Sequence, residues 1–228
     1  MQSAERWLER TFRYVFNNPE LLQTSLTHRS APGNSNERLE FLGDAILDVV
    51  ISAEIYASRP AATEGELSRL RAWLVNDNAL AALASAAGIG DYLVLGGGER
   101  KSGGHHRKSI LADALEALFG AIFLDSGFDA ARDVILDCFR ERLEQLPDAD
   151  DLRDPKTQLQ EWLQARGRAL PTYELDTVSG KAHDQRFAVV CSLDRPGSVT
   201  RGEGTSRRRA EQAAARQMLE LLAETEAQ

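Results

Sequence analysis

The sequence has few of the residues from which several kinds of functional site are built. It contains only two cysteines among 228 residues, Cys138 and Cys191, which lie far apart without metal-type spacing and have apolar neighbours. This arrangement argues against a cysteine-based metal site. We expect both to be reduced thiols in the protein core, because free cysteine is among the most often buried residue types.

Long apolar runs are also missing. No segment approaches the roughly 18 consecutive apolar residues that a membrane span requires. The start, MQSAERWLERTF, alternates charged and apolar residues and lacks the continuous apolar core of a secretory signal. We therefore expect a cytoplasmic protein with no membrane partner. With 43% hydrophobic and 27% charged residues, the chain can bury a large core in one or two domains.

Basic residues are fewer than acidic ones, but this imbalance is not uniform along the chain. The net charge of −8 and the pI of about 5.1 argue, taken alone, against a nucleic-acid partner. Residues 1–150 carry 15 basic and 23 acidic side chains, whereas residues 151–228 carry 12 of each. The excess acid therefore belongs to the first part of the chain, and the second part includes a basic cluster, Arg207–Arg209.

The apolar pattern of the first part is helical. It predicts helices at residues 3–14, 36–58, 63–87 (with a break near Asn76 as an alternative), 109–125 and 129–145. The polar segment at 147–154 is bordered by prolines and is predicted to be a linker. It would join an all-helical domain, residues 1–146, to a second domain, residues 155–226.

The second domain has a different pattern. A short helix at 156–166 is followed by three runs with strand alternation, PTYELDTVSG, QRFAVVCSLD and SVTRGEG. A last helix follows, for which Ser206 is a suitable cap. The order α-β-β-β-α predicts a compact α+β module.

The segment NERLEFLGDAILD, residues 36–48, concentrates like charges on one side of a predicted helix. At about 100° per residue, Glu37, Glu40, Asp44 and Asp48 fall within an arc of roughly 80°. Such a stripe is either a solvated face or a site that holds a cation.

A second helix favours the interpretation of the stripe as a site that holds a cation. In ILADALEALFGAIFL, residues 110–124, the only charged residues are Asp113 and Glu116, which share one face of an otherwise apolar helix. Unpaired carboxylates there would cost several kcal/mol. Within the first helix only Arg38 is basic, and it faces away from Glu40. Oxygen ligands without cysteine or histidine favour Mg²⁺ or Mn²⁺. The alternative, in which Asp113 and Glu116 bind amide groups, stays open.

These acidic segments resemble a known family. NERLEFLGDAILD, EGELSRLRAWLV (64–75) and SGGHHRKSILADALEALFGAIFLD (102–125) are similar to three blocks of bacterial ribonuclease III, and residues 155–226 resemble its double-stranded RNA-binding domain. The resemblance implies a metal-dependent endoribonuclease for double-stranded RNA that leaves 5′-phosphates, 3′-hydroxyls and short 3′ overhangs. It implies processing of ribosomal RNA precursors and structured transcripts. The alternatives are a non-catalytic double-stranded RNA-binding protein of the same fold and a helical metalloenzyme for small phosphoesters.

The resemblance also implies roles for individual residues and for partners. The implied metal ligands are Glu40, Asp44, Asp113 and Glu116, of which Asp44 and Glu116 are catalytic; Glu37 and Glu64 are supporting acids; Gln158, Glu161, His183, Arg207, Arg208 and Arg209 contact RNA; and Phe41 contacts the partner subunit of a homodimer. The implied cofactor is Mg²⁺, with Mn²⁺ as a substitute, and no small-molecule cofactor is expected. Asp48 is left as a solvated or salt-bridged helix residue.

Predictions can also be made for four further features of the sequence. Arg207–Arg209 at a helix start favour an external anion, although a solvated face is the alternative. Phe41 lies on the acidic side of its helix, and the alternative to contact with a partner subunit is that it packs in the core of its own chain. The glycine-rich segment 95–109 fails the phosphate-loop pattern and is predicted to be a mobile basic loop that leads to Ser109 as a helix cap. His28 is predicted to be structural.

Overall fold

The computed structural model describes residues 3–181, 184–194 and 197–226. Internal contacts divide the chain into two compact units, Met1–Leu152 and Arg153–Gln228. Among the described helices, none is both long and apolar enough to cross a membrane. Of the residues that the sequence singles out, His183 lies outside the described residues.

The first unit is helical, as predicted. Its helices are α1 (Ala4–Phe12), α2 (Pro19–Ser25), α3 (Glu37–Ser58), α4 (Glu64–Val75), α5 (Asp77–Ala86), α6 (Gly97–Lys101) and α7 (Lys108–Glu144), with 3₁₀ turns at Ile89–Tyr92 and Gly104–His106. α7 is interrupted at Gly127, whose φ of 83° is not helical, so that it forms two segments, as the sequence pattern indicates.

Local sequence explains where these helices begin and end. Thr63 and Glu66 form a capping box at the start of α4. Asn76 ends α4 in an extended conformation, and its side chain accepts a hydrogen bond from the Ala79 amide to cap α5. The predicted helix 63–87 is therefore broken at Asn76. Gly88, with a φ of 73°, follows α5 and stops it.

α3 and α7 form the centre of the first unit. Their buried faces contribute much of its apolar core; Leu47 and Ile51 of α3 and Leu115 and Phe119 of α7 are fully buried. Burial of side chains of this size contributes about 1.5–3 kcal/mol each. The packing holds the two helices in a fixed register, on which the positions of their charged residues depend.

Two glycines let the backbones of α3 and α7 touch. A Cβ atom added to Gly43 would lie 1.8 Å from the carbonyl oxygen of Glu116, and one added to Gly120 would lie 2.2 Å from that of Leu39. Real Cβ atoms do not approach other atoms so closely, so that both positions require glycine. The contact places the start of α3 beside the acidic turn of α7.

The second unit has the predicted α-β-β-β-α order. It comprises α8 (Pro155–Ala165), β1 (Thr172–Ser179), β2 (Arg186–Ser192), β3 (Val199–Gly204) and α9 (Arg207–Glu226). The strands form an antiparallel sheet in the order β1-β2-β3, with Tyr173 opposite Cys191. α8 and α9 contribute Leu159, Leu163 and Met218 to its core. Ser206 caps α9, because its hydroxyl accepts a hydrogen bond from the Arg209 amide.

The two cysteines are free thiols. Cys191 is buried in the second unit, and Cys138 is partly buried against the core of the first. Burial raises the pKa of Cys138 to about 12, so that it carries its proton at neutral pH. Both are inert core thiols, as the sequence indicates.

The contact between α3 and α7 can be tested with Gly43→Ala. The added methyl group would force the helices apart, and we expect the free energy of unfolding to fall by about 1–3 kcal/mol, the range for overpacked cores. Gly97→Ala is the matched control, because a Cβ at Gly97 has open space around it. Urea unfolding of both variants measures the effect; an unchanged Gly43→Ala midpoint would contradict the tight crossing.

Candidate metal centre and nucleic-acid interface

Three predicted metal ligands meet where α3 and α7 touch. Glu40 lies in the first turn of α3, and Asp113 and Glu116 lie one turn apart on α7. Each offers a carboxylate oxygen within 4.8 Å of the others, and all three side chains are partly buried. Like charges at this distance repel strongly, so that the group requires protons or a cation.

The electrostatics of the group show this repulsion. Burial, followed by the charges of Asp44, Asp113 and Glu40, raises the pKa of Glu116 from 4.5 to about 8. Burial is also the main cause of the raised pKa values of Glu40 and Asp113. In the metal-free chain Glu116 is therefore largely protonated at pH 7. An all-oxygen donor set of this kind suits a hard divalent cation.

The other predicted acids lie outside the three-carboxylate group. Asp44 is exposed and lies one turn after Glu40 on α3. Among the charges that raise the pKa of Glu116, that of Asp44 has the largest effect. Glu37 is exposed and pairs with Arg29 at 3.5 Å. Glu64 accepts a hydrogen bond from the Ser68 hydroxyl at 2.7 Å and lines a separate groove.

Asp48 is not part of the group. Its carboxylate lies 4.0 Å from the Arg71 guanidinium, as expected for a salt-bridged helix residue.

Sequence reasoning missed three charged residues close to this group. His28 and Arg29 precede α3 in the chain, and their positive charges act to lower the pKa of Asp113. Asp77, at the start of α5, has the opposite effect. The sequence indicates few basic residues along the two helices, and this reasoning did not find Arg29 because it lies in the loop before α3. A parallel bridge between Thr27 and Val94 helps to fix the loop that carries His28 and Arg29, and no local pattern indicates it.

The glycine-rich segment 95–109 is folded. It contains α6 and a 3₁₀ turn, and α7 begins at Lys108 with Arg107 at the cap position. The prediction that Ser109 caps α7 was wrong, since the helix begins at Lys108 and Ser109 lies within its first turn. The predicted loop instead contains two helical segments, and Glu99 in it pairs with Arg107 at 2.7 Å. Its mobility stays a prediction.

Phe41 is exposed rather than packed in the core of its own chain. Its side chain is 80% exposed on α3, and Val49 and Tyr56 on the same helix are 56% and 72% exposed. The alternative of core packing within the chain is therefore excluded. Together these residues form an apolar strip along α3, which we call the α3 strip.

Those predicted RNA-contacting residues that the structure describes lie on α8 and at the start of α9. Gln158 is partly buried, and Glu161 is exposed and pairs with Arg153. Arg207 pairs with Glu211 at 3.0 Å, and Arg208 lies 3.8 Å from Asp154.

Arg209 donates a hydrogen bond to the Thr205 hydroxyl at 3.1 Å. The charge of the triplet is thus partly balanced inside the unit, which offsets the unfavourable placement of cations at a helix start. Even so, the side chains of Arg207 and Arg208 remain 59% and 81% exposed. They are therefore open to an external anion.

The comparisons with known proteins agree with both units. Residues 18–143 match the family model described as Ribonuclease-III-like, and residues 155–222 match the Double-stranded RNA binding motif. The chain belongs to the ribonuclease III family. Members named Ribonuclease 3 include one from Alkalilimnicola ehrlichii, 57% identical over 97% of each chain, and one from Vibrio cholerae, 52% identical over 92% of this chain and 93% of the relative.

Solved ribonuclease III structures are similar to the first unit. The nuclease domain of ribonuclease III from Campylobacter jejuni is 39% identical, with a TM-score of 0.60, over 64% of this chain and all of that chain. A second structure of that domain is 41% identical, with a TM-score of 0.58, over 59% of this chain and 95% of that chain. As a ribonuclease III, the chain is an endoribonuclease for double-stranded RNA, and the small-phosphoester alternative is excluded.

The raised pKa of Glu116 predicts how pH affects the metal-free fold. Because its pKa is about 8 in the folded chain and 4.5 otherwise, the folded chain binds more protons between these values, and its stability falls as pH rises through them. In EDTA, Glu116→Gln should raise the free energy of unfolding by on the order of 2 kcal/mol near pH 9 and much less near pH 5.

Urea unfolding at both pH values measures this effect. Glu64→Gln, a change of the same kind at an exposed carboxylate outside the group, is the control. An equal gain for Glu116→Gln at both pH values, or a loss near pH 9, would show that Glu116 is not strained by burial and like charge.

Proposed function

We propose that this ribonuclease III uses a divalent metal ion held by Glu40, Asp113 and Glu116, with Asp44 beside them, to hydrolyse RNA phosphodiesters. The observation that carries the proposal is the meeting of carboxylates from two helices within 4.8 Å, against an apolar core. Residues 1–146 would form the catalytic domain, 147–154 the linker and 155–226 the RNA-binding domain. Mg²⁺ is the proposed ion, and Mn²⁺ a substitute.

Each part of this arrangement has a chemical purpose. A bound divalent cation lowers the pKa of water, orients it for attack and offsets the charge on the departing 3′ oxygen. The carboxylates bind the ion, and Glu116 must release its proton when they do so. Activity should therefore fall on acidification, because protons compete with the metal for the same oxygens. Glu37 and Glu64 would support the site from outside the carboxylate group.

Glu116→Gln tests the metal role directly. The amide keeps the size of the side chain but removes its charge, so that we expect cleavage of a long RNA duplex to be abolished, with duplex binding retained. Asp48→Asn is the matched control on α3 and should cut as the wild type does. Gel analysis of products with and without Mg²⁺ measures this.

Full Mg²⁺-dependent cutting by the Glu116→Gln variant would show that Glu116 is not a metal ligand.

The proposed assembly is a homodimer formed through the α3 strip. The strip exposes large apolar side chains, including Phe41, which a second copy would bury. One Campylobacter jejuni structure describes structural flexibility in a region involved in dimer formation of its nuclease domain. A twofold axis would present one metal site to each strand of the duplex. Staggered cuts with short 3′ overhangs, leaving 5′-phosphates and 3′-hydroxyls, would follow.

Phe41→Ser tests the dimer. We expect the dissociation constant of the dimer to rise at least tenfold, the effect of losing a central aromatic anchor. Val15→Ser is the control, because Val15 is 66% exposed and lies outside the α3 strip. Sedimentation velocity over a concentration series measures both variants. Equal dissociation of the two variants would contradict the proposed interface.

The second unit would bind the RNA duplex by shape. Modules of this kind span about 16 base pairs and contact 2′-hydroxyls and phosphates. The exposed Arg207 and Arg208 would exchange their internal acidic partners for phosphates, with Arg209, Gln158, Glu161 and His183 as further contacts. Ribosomal RNA precursors and structured transcripts in the cytoplasm are the proposed substrates.

A further inference from the structure

A cavity of about 470 Å³ opens beside the carboxylate group. Glu40 and Asp113 form part of its lining, and Arg29 and Arg107 form another part. The cavity therefore has acidic side chains and two guanidinium groups around one space. Neither arginine belongs to the metal site proposed above, and they come from segments more than 75 residues apart in the sequence.

Close contacts between two loops position Arg29. The loop before α3 is bound to residues 94–96, since the His28 amide donates to the Val94 carbonyl at 3.0 Å and the Gly96 amide donates to the Ser30 hydroxyl at 3.0 Å. A Cβ at Gly96 would lie 2.1 Å from the Ser30 carbonyl oxygen, so that only glycine allows this approach.

Arg107 is held from the other side. Its guanidinium pairs with Glu99 at 2.7 Å, and the Glu99 side chain is only 19% exposed. A Cβ at Gly104 would lie within 2.9 Å of three Glu99 atoms, so that this glycine makes room for the anchor. The Arg107 side chain itself remains 49% exposed and lines the cavity. The pair fixes the arginine without burying it.

Arg29 is held more loosely. Its contact with Glu37 is 3.5 Å long, and the two side chains are 71% and 53% exposed. Exposed pairs of this kind contribute little stability, about 0–1 kcal/mol. The arginine can therefore exchange its carboxylate for a phosphate at small cost.

The start of α7 adds to the positive side of the cavity. Ser109 and Ile110 in the first turn line the space, and the Arg107 side chain makes no capping hydrogen bond to this turn. The first amides of a helix have no partner within the helix and attract anions. The residues that carry these amides line the same cavity as Arg29 and Arg107.

An RNA strand that reaches the carboxylates must bring further phosphates with it. The acids repel those phosphates, and a metal ion held by the acids acts only at the bond to be cut. We propose that Arg29 and Arg107 are positioning residues, which bind a backbone phosphate next to the scissile one and so hold the strand in register. The proposal rests on the metal-dependent cleavage described above. Guanidinium groups suit this task because they bind phosphate oxygens in pairs.

A purely structural role would be different. If the two arginines only fastened loops through Glu37 and Glu99, their removal would lower stability and leave unchanged the number of RNA phosphates that the protein binds. The salt dependence of duplex binding separates the two roles. The plot of log Kobs against log[salt] has a negative slope, which becomes less steep by about 0.7–0.9 for each phosphate that the protein no longer neutralises.

The experiment uses the full chain carrying Glu116→Gln, with a fluorescent RNA duplex, Mg²⁺ and a series of salt concentrations. Adding Arg29→Gln and Arg107→Gln together should make the slope less steep by about 0.7–0.9, the contribution of the one phosphate that the two arginines are proposed to bind. Arg107→Lys, which keeps the charge, should restore most of the change in slope that Arg107→Gln causes. Thermal unfolding is recorded for every variant. If Arg107→Gln alone lowers the melting temperature, the salt dependence is also measured with Glu99→Gln and Arg107→Gln combined, because this removes both members of the ion pair.

The control is Arg100→Gln, which removes a charge from the same glycine-rich segment but not from the cavity lining. An unchanged slope for the Arg29 and Arg107 double variant would overturn the proposal. So would an equal flattening by Arg100→Gln, which would mean that only net charge matters. Persistent cleavage by Glu116→Gln alone would instead refute the proposed metal role, so that the two failures are distinguishable.

Discussion

The close contact between α3 and α7 is the constraint on which the rest of the first unit depends. Gly43 and Gly120 let the two backbones approach to a distance that no side chain would permit. Because Glu40 lies one turn before Gly43 and Glu116 one turn before Gly120, the contact brings their carboxylates together. The site is therefore a consequence of how two helices pack, rather than of any one loop.

Packing and charge oppose each other at this contact. Burial of the surrounding apolar side chains stabilises the fold, but it also removes water from Glu40, Asp113 and Glu116 and raises their pKa values. The metal-free chain tolerates this by keeping a proton on Glu116. A divalent cation bound by these carboxylates would relieve the repulsion. Arg29 and His28 act in the same direction from outside the group.

Sequence periodicity was sufficient for the parts of the molecule that depend on single elements. It indicated the acidic stripe of α3, the paired acids of α7 and the α+β order of the second unit. It left a break near Asn76 open as an alternative, and the structure shows that asparagine there both ends one helix and caps the next. Helical glycines such as Gly43 and Gly120 were an available signal for the close contact, since glycine inside a helix costs about 1 kcal/mol relative to alanine.

Features that depend on tertiary contacts could not be predicted in this way. Arg29 and Arg107 share a cavity only because loops distant in sequence bind each other through Ser30, Gly96 and Glu99. The internal pairing of Arg207 with Glu211 likewise changes what a basic triplet at a helix start means. Phe41 could be placed on a face of α3, but whether that face was buried depended on the surrounding helices.

Mn²⁺ provides the most direct test of the central claim, because its anomalous X-ray scattering locates it without reference to activity. Crystals of the full chain grown with Mn²⁺ should show an anomalous difference peak within about 2.5 Å of carboxylate oxygens of Glu40, Asp113 and Glu116, the range for oxygen-bound divalent ions. A fully occupied Mn²⁺ site elsewhere, with no peak between α3 and α7, would contradict the account.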